Sequence, residues 1–426
     1  MQLLNRSGFW IITARIAWPL ALAVCVVRFC WGGSHRAYAF NDYLLAGLHW
    51  MRGENLYTNW RGFIYSPTIA VLFAPLSCPP SALAYSLWLM INAAALLGGL
   101  AALFKTNLFP CLGQKSFGIG CLLLLPLGIG NLDVGQANPL VIGLLMFAIA
   151  AVRIERWNTA ALCVAIATFF KIYPLALGLL ICVIAPRRFI GRLAIALLLL
   201  AVAPFLFQHW SYVQDQYHAW INTRISDNRI YYPEKYVPID LWFLLHWVGQ
   251  LPVTPAFYTL IQVGSGAALA LFSIWATRKR WNSERVLSGF FFLAPVWMTL
   301  CGPATEAHTY LLLGPTAVLA VVHSLQERRP ILLRASVLIA FVLQLINHER
   351  RILYLFDFKH RWVFSAQPLS ALLLLGYCFF WLFNDSFWRE AQDTSELARK
   401  TQTEIWIDAF INGLALSFGQ VSGPER

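Results

Sequence analysis

A few polar side chains sit where polar side chains are expensive. Asp42 and Tyr43 open the segment NDYLLAGLHWMRGENLY, just after a first apolar run. An aspartate at the mouth of a membrane cavity can serve as a general base; the competing role is a helix N-cap, which aspartate also favours. Asp133 and Gln136 fall in NLDVGQANP between two apolar runs, where Gly135 and Pro139 suit a sharp turn. Lys171 is a lone cation in LCVAIATFFKIYPLALGLL. It either snorkels to lipid headgroups or partners a lipid phosphate. Glu306 and His308, two apart in CGPATEAHTYLLLGP, suit phosphate or acceptor handling, the alternative being a buried, satisfied histidine. Arg350, Arg351, His360 and Arg361 form a weaker set that could hold headgroups. Ionisable groups are costly in a span, about 2.5–3.5 kcal/mol at its centre on insertion scales, which makes those in or beside spans functional candidates by default.

The elements that carry these residues follow from composition. The chain has 426 residues, 59% hydrophobic and only 12% charged, with a mean hydropathy of +0.60. Soluble domains carry roughly 25% charged residues, so this chain could not cover a water-facing surface. Spanning a hydrocarbon core about 30 Å thick takes about 20 apolar residues, and backbone groups there must be paired within the segment, which means helices. A β-barrel would alternate apolar and polar residues in short segments, whereas these runs are continuous. The reading is an all-α polytopic membrane protein with about twelve spans: 16–31, 81–104, 117–132, 137–152, 157–173, 174–186, 189–208, 256–277, 286–303, 308–323, 331–347 and 368–384. The fifth and sixth are short and meet at Tyr173-Pro174, which bends them around a cavity or thins the bilayer locally.

The net charge of +12 does not point to nucleic acid, because the basic residues sit in short clusters between apolar runs. With the N-terminus inside, those clusters are Arg6 and Arg15; Lys105 and Lys115; Arg153 and Arg156; Arg187, Arg188 and Arg192; Arg278, Lys279, Arg280 and Arg285; and Arg328, Arg329 and Arg334. All fall in short loops of one side, as the positive-inside rule requires with both ends cytoplasmic. The polar candidates then share the outer side. Residues 63–77 read as a re-entrant or interfacial helix, and 240–250 as a helix on the outer surface. Leu44, Leu45, Leu48 and Met51 suit a helix lying along the interface. Residues 1–384 form the membrane domain and 385–426 a cytoplasmic tail.

Nine scattered cysteines contain no CxxC pair, so neither a zinc site nor a disulfide framework is readable. The AYA at 37–39 resembles a signal-peptide cleavage site, but Arg28 interrupts the preceding run and a candidate functional segment follows at once. There is no DxD pair, Walker loop, GxGxxG or HExxH. No metal or cofactor is therefore expected.

The ordered set of short motifs resembles glycosyltransferase family 87, membrane-embedded GT-C mannosyltransferases that use polyprenyl-phosphate sugars. It comprises an early aspartate (Asp42) followed by GENLY at 53–57, Tyr65-Ser66-Pro67, GQANPL at 135–140, FKIYP at 170–174, and a late histidine after a proline in PATEAHTY. The resemblance implies a GT-C-like bundle with outer-face interfacial helices, in a bacterial plasma membrane with the active site facing the periplasm. It implies Asp42 as the catalytic aspartate, and Lys171, His308 and Gln136 as donor-phosphate or substrate contacts. Glu306, Tyr43 and Tyr65 are grouped with them. The implied partners are a polyprenyl-phosphate sugar, with mannose the sugar that the resemblance implies, and a glycolipid or glycan acceptor within membrane lipid. Family members often carry a longer acidic or aromatic stretch here, whereas Asn41 directly precedes Asp42, which leaves acceptor choice open.

The chemistry agrees with that assignment. A sugar on a lipid phosphate already carries a good leaving group, so the reaction needs a base for the acceptor hydroxyl and donors for the departing phosphate. The alternative function is a lipid-linked saccharide or small-molecule transporter or flippase, which needs no base and tends to show repeated broken helices. A structural scaffold gives no reason for costly polar positions to share one side.

Overall fold

The computed structural model describes residues 7–33, 35–57, 62–106, 108–109, 112, 114–226, 237–303, 305–326, 330–346, 360–384 and 388. Among these residues all regular structure is helical, as continuous apolar runs require in a solvent without hydrogen bonds. The helices are α1 Ser7–Gly32, α2 Tyr38–Arg52, α3 Pro67–Phe73, α4 Ser81–Lys105, α5 Gln114–Asp133, α6 Asn138–Arg153, α7 Trp157–Phe170 and α8 Leu175–Ile184. They continue with α9 Pro186–Val202, α10 Trp210–Ile225, α11 Pro255–Arg278, α12 Ser283–Leu300, α13 Gly314–Gln326, α14 Ile331–Ile346 and α15 His360–Leu382. Seven helical stretches are long and apolar enough to cross a membrane, and α6, α7, α8 and α14 are shorter apolar helices.

Each expected span coincides with a helix to within about six residues, apart from larger shifts at the first and the last. The first helix starts at Ser7 and the last at His360, with Pro368 inside it. The tenth begins as a 3-10 turn, Ala307–Leu313, before α13. The centre of the bundle is α12 with α13, nearly every residue of which is buried. Around them α4 packs along α6 and α1 along α5, while α9 and α11 lie at the periphery with most of their apolar surface outward.

The chain order sorts the connections onto two ends. The α1–α2, α5–α6, α7–α8 and α12–α13 connections share one end, termed the site end; the α4–α5, α6–α7, α8–α9 and α11–α12 connections share the other, with the basic clusters. Arg6, Arg328, Arg329, Arg350, Arg351 and the tail beyond Trp388 lie outside the described residues, as do the side chains of His360 and Arg361.

Helix α2 leaves apolar positions exposed, as an interfacial helix would, whereas the segment at 240–250 differs from expectation. The face that α2 buries is Ala39, Phe40, Tyr43, Ala46, Gly47 and Trp50, whereas Leu45 and Met51 are exposed. Small and aromatic residues fit against the bundle, which leaves the leucines for lipid. The segment at 240–250 does not simply lie on the surface. It forms a π-helical turn, Phe243–Val248, with Trp242 and Phe243 buried and Phe243 against Phe364 of α15. Residues 63–77 do form a short buried helix, α3, followed by a 3-10 turn.

Candidate active site

The platform of the site is the α5–α6 turn. Gly135 takes φ +71, a conformation that glycine adopts freely, and a Cβ there would lie 2.4 Å from the Phe40 side chain. The Phe40 N–H donates to the Val134 carbonyl at 3.3 Å, so this turn fixes the start of α2. From α4, Trp88 Nε1 donates to the Gly135 carbonyl at 2.8 Å and Tyr85 Oη to the Asp133 carbonyl at 2.9 Å. Asp133 itself pairs with Arg28 of α1 at 3.0 Å. That carboxylate is thus committed to holding α1 against the turn.

Asp42 stands in the second turn of α2, whose N-cap is Ala37. The capping alternative is therefore excluded. Asp42 is half-buried and makes no ion pair or hydrogen bond to any described residue. Burial pushes its carboxyl up to about 6, because the charged form loses hydration. Tyr43, beside it, is fully buried, stacked on Phe73 at 4.7 Å with its ring 4.9 Å from that of Tyr65. Its hydroxyl is directed toward Tyr65 and the Ala137 backbone without a well-aligned hydrogen bond to a described residue. Burial raises both phenols above their ordinary value.

The α7–α8 elbow supplies Lys171. Helix α7 stops at Phe170, Lys171 adopts an extended conformation (φ −151, ψ 135), and α8 starts only at Leu175. The elbow's backbone stays paired through tight turns, such as Lys171 N–H to the Ala167 carbonyl and Leu175 N–H to that of Ile172. The Lys171 ammonium lies 5.9 Å from the Tyr173 ring centre and within electrostatic reach of Glu306. It faces the site rather than only the headgroups.

Glu306 caps the 3-10 turn that begins at Ala307. Its side chain accepts from the Thr309 backbone, and the Thr309 hydroxyl accepts from the Glu306 N–H at 3.3 Å. Its charge also acts on Tyr43, Tyr65 and Tyr173. His308 is half-buried, its ring 6.4 Å from that of Tyr38 at the start of α2. Gln136 is buried with its Oε1 lacking a hydrogen-bond partner among the described residues. Next to it, Asn138 Nδ2 donates to Asn131 Oδ1 at 2.9 Å, and Tyr173 Oη reaches Asn138 at 3.5 Å.

The polar positions expected from sequence thus gather at one end of the bundle. Asp42, Tyr43, Tyr65, Lys171 and Glu306 are linked electrostatically, and His308 joins through Tyr38. Sequence reasoning missed Tyr38 and Tyr173, although Tyr173 lay within the FKIYP motif. It also missed a second support. Helix α10 holds the loop after α2: the Leu56 N–H donates to Gln216 Oε1 at 2.9 Å, Tyr212 Oη to the Glu54 carbonyl at 2.7 Å, and Trp220 Nε1 to the Ile64 carbonyl at 3.3 Å. Likewise Tyr310 Oη donates to the Ile239 carbonyl at 2.8 Å, fastening the segment after α10 to the His308 turn.

An aspartate of raised basicity and a lysine at the same end of the bundle, among buried tyrosines, are the groups needed to remove a proton and to meet negative charge. No curated protein matches the chain. A family match covers residues 63–303; it takes in Tyr65, Gln136 and Lys171 and leaves Asp42, Tyr43, Glu306 and His308 outside it. Over that stretch, more than half of the sequence, the model matched is that of glycosyltransferase family 87, and the chain belongs to this family of membrane glycosyltransferases.

Proposed function

We propose that the protein transfers a hexose, with mannose the foremost candidate, from a polyprenyl-phosphate donor to a glycolipid or glycan hydroxyl at the outer membrane face. Asp42 takes the proton of the acceptor hydroxyl, and the acceptor oxygen attacks the anomeric carbon. The bond from that carbon to the phosphate oxygen breaks, and polyprenyl phosphate departs with the electron pair. Lys171, aided by His308, meets the charge that develops on the leaving phosphate. A single displacement inverts the anomeric centre, so a β-linked donor gives an α-linked product.

The observation that carries this reading is the presence at one end of the bundle of Asp42, whose carboxyl is raised to about 6, and of Lys171 at the break between two short helices. A base is most effective when its pKa lies near the working pH. Glu306, within electrostatic reach of Lys171, accompanies it as a substrate contact. The concentration of basic residues at the opposite end of the bundle supports an outward-facing site.

The test is incubation of the purified full chain with radiolabelled polyprenyl-phosphate sugars and a membrane lipid extract. Label from the mannose donor is expected in a new glycolipid or glycan product. Consumption of only a nucleotide sugar, with every lipid-linked donor untouched, would refute the donor class.

A further inference from the structure

The α7–α8 elbow is held internally by turns that leave its direction open. Its backbone bonds join residues no more than four apart, such as Lys171 N–H to the Ala167 carbonyl and Ala176 N–H to the Tyr173 carbonyl, both at 3.0 Å. Pro174 has no N–H to give. Such local bonds keep the elbow's backbone satisfied but do not fix where it points against the rest of the bundle. Side chains that reach other elements do that. Before the break, Ser66 Oγ donates to the Phe169 carbonyl at 3.3 Å; after it, the tie is Tyr173.

Residues 171–173 alternate as an extended segment does: Lys171 is half-buried, Ile172 is 47% exposed and Tyr173 is buried. The Lys171 ammonium lies 5.9 Å from the Tyr173 ring centre, close enough for attraction between cation and ring. The Tyr173 hydroxyl is the middle link of a chain of donors. Glu306 N–H donates to Thr309 Oγ1 at 3.3 Å, which leaves the Thr309 proton for Tyr173 Oη, within hydrogen-bonding reach. Tyr173 Oη donates to Asn138 Oδ1 at 3.5 Å, and Asn138 Nδ2 to Asn131 Oδ1 at 2.9 Å. Thr309, Asn138 and Asn131 are fully buried, so bulk water does not compete and neighbouring bonds polarise one another. The chain joins three connections of the site end: the turn of Glu306 and His308, the elbow of Lys171, and the α5–α6 junction.

We infer that Tyr173 is a positioning residue for sugar transfer: its hydroxyl, held between Thr309 and Asn138, and its ring, beside the ammonium, set Lys171 where it meets the donor phosphate. The inference rests on the proposed role of Lys171, and adds the group that fixes that lysine's place.

Tyr173→Phe in the full chain keeps the ring and removes the hydroxyl. Two readings are taken per folded molecule: sugar transfer, and binding of a sugar-free polyprenyl phosphate to protein in nanodiscs. The substitution should lower kcat/KM about tenfold, the worth of one buried hydrogen bond, and weaken binding by a similar factor. In a Lys171→Ala background the same substitution should change both readings less than about twofold, because residues that act through one another are not additive. Tyr258→Phe removes another buried hydroxyl, between α11 and α12, and should leave both readings near wild type. Equal losses on the two backgrounds, or no loss from wild type, overturn the inference. Should Tyr173→Phe not fold, Thr309→Val removes the neighbouring hydroxyl and carries the same expectations and refutations. Non-additive binding in a protein that transfers no sugar sinks the transferase reading alone; active transfer with additive losses sinks the positioning role alone.

Discussion

The two ends of the bundle treat their charges in opposite ways. At the basic end both described acids are engaged: Arg153 pairs with Glu284, Arg188 with Glu155 at 2.7 Å, and Arg192 Nε donates to Asn158 at 2.7 Å. Arg285 is buried there, its guanidinium 3.7 Å from the Trp281 ring centre and donating to the Leu382 carbonyl at 2.9 Å. At the site end Arg28 pairs with Asp133. Asp42 has no partner among the described residues, and Tyr43 Oη and Gln136 Oε1 are buried without good ones. Buried polar groups are normally satisfied. The contrast lies in the carboxylates: Glu155 and Glu284 at the basic end each hold an arginine, whereas Asp42 at the site end holds none among the described residues, which suits a ligand.

That contrast can be broken by mutation, and the effects should descend in order. Asp42→Asn should lower turnover about 10²–10⁴-fold, the usual worth of a general base. Its thermal stability should equal or exceed wild type, since a half-buried carboxylate is removed; a lowered melting temperature would mean that Asp42 is structural. Lys171→Ala should reduce kcat/KM about 10²-fold, as loss of one charge-stabilising donor does, and weaken binding of the donor; unchanged donor affinity would count against its phosphate role. Gly135→Ala should destabilise by about 1–3 kcal/mol, through strain at positive φ and overlap with Phe40. Its activity should fall with the folded fraction, read by thermal melting beside the assay. Smallest of all, Arg153→Ala should cost about 1 kcal/mol of stability and leave turnover per folded molecule unchanged.

Acidity offers a sharper form of the comparison. On the proposed mechanism transfer requires the deprotonated Asp42, so kcat should fall as pH drops through about 6 and level off above it. A flat profile from pH 5 to 8 would remove the base from the account.

Much of this architecture was legible because a bilayer imposes simple rules. Continuous apolar runs announced the helices, and Lys171 announced itself as a cation in one of them. Tyr173-Pro174 foretold the elbow, since a proline ends the helix before it. The buried face of α2 was not legible. Hydrophobicity singles out Leu45 and Met51, but lipid is as apolar as a core, so small residues rather than leucines mark the packed face. The clamp of α10 onto residues 54–64 escaped for a different reason: it depends on single hydrogen bonds between positions about 160 apart in sequence. Nor does sequence distinguish Asp133, spent on Arg28, from Asp42, left available. Only geometry separates the two carboxylates. Family membership resolved the choice between transferase and transporter that the residues alone had left open.

The most direct measurement compares wild type and Asp42→Asn, both purified and folded, in transfer from polyprenyl-phosphate mannose with donor binding measured in parallel. The wild type should release polyprenyl phosphate and form an inverted glycoside, while the variant binds the donor equally and forms almost none. Near-normal product formation by the variant would contradict the account at its centre.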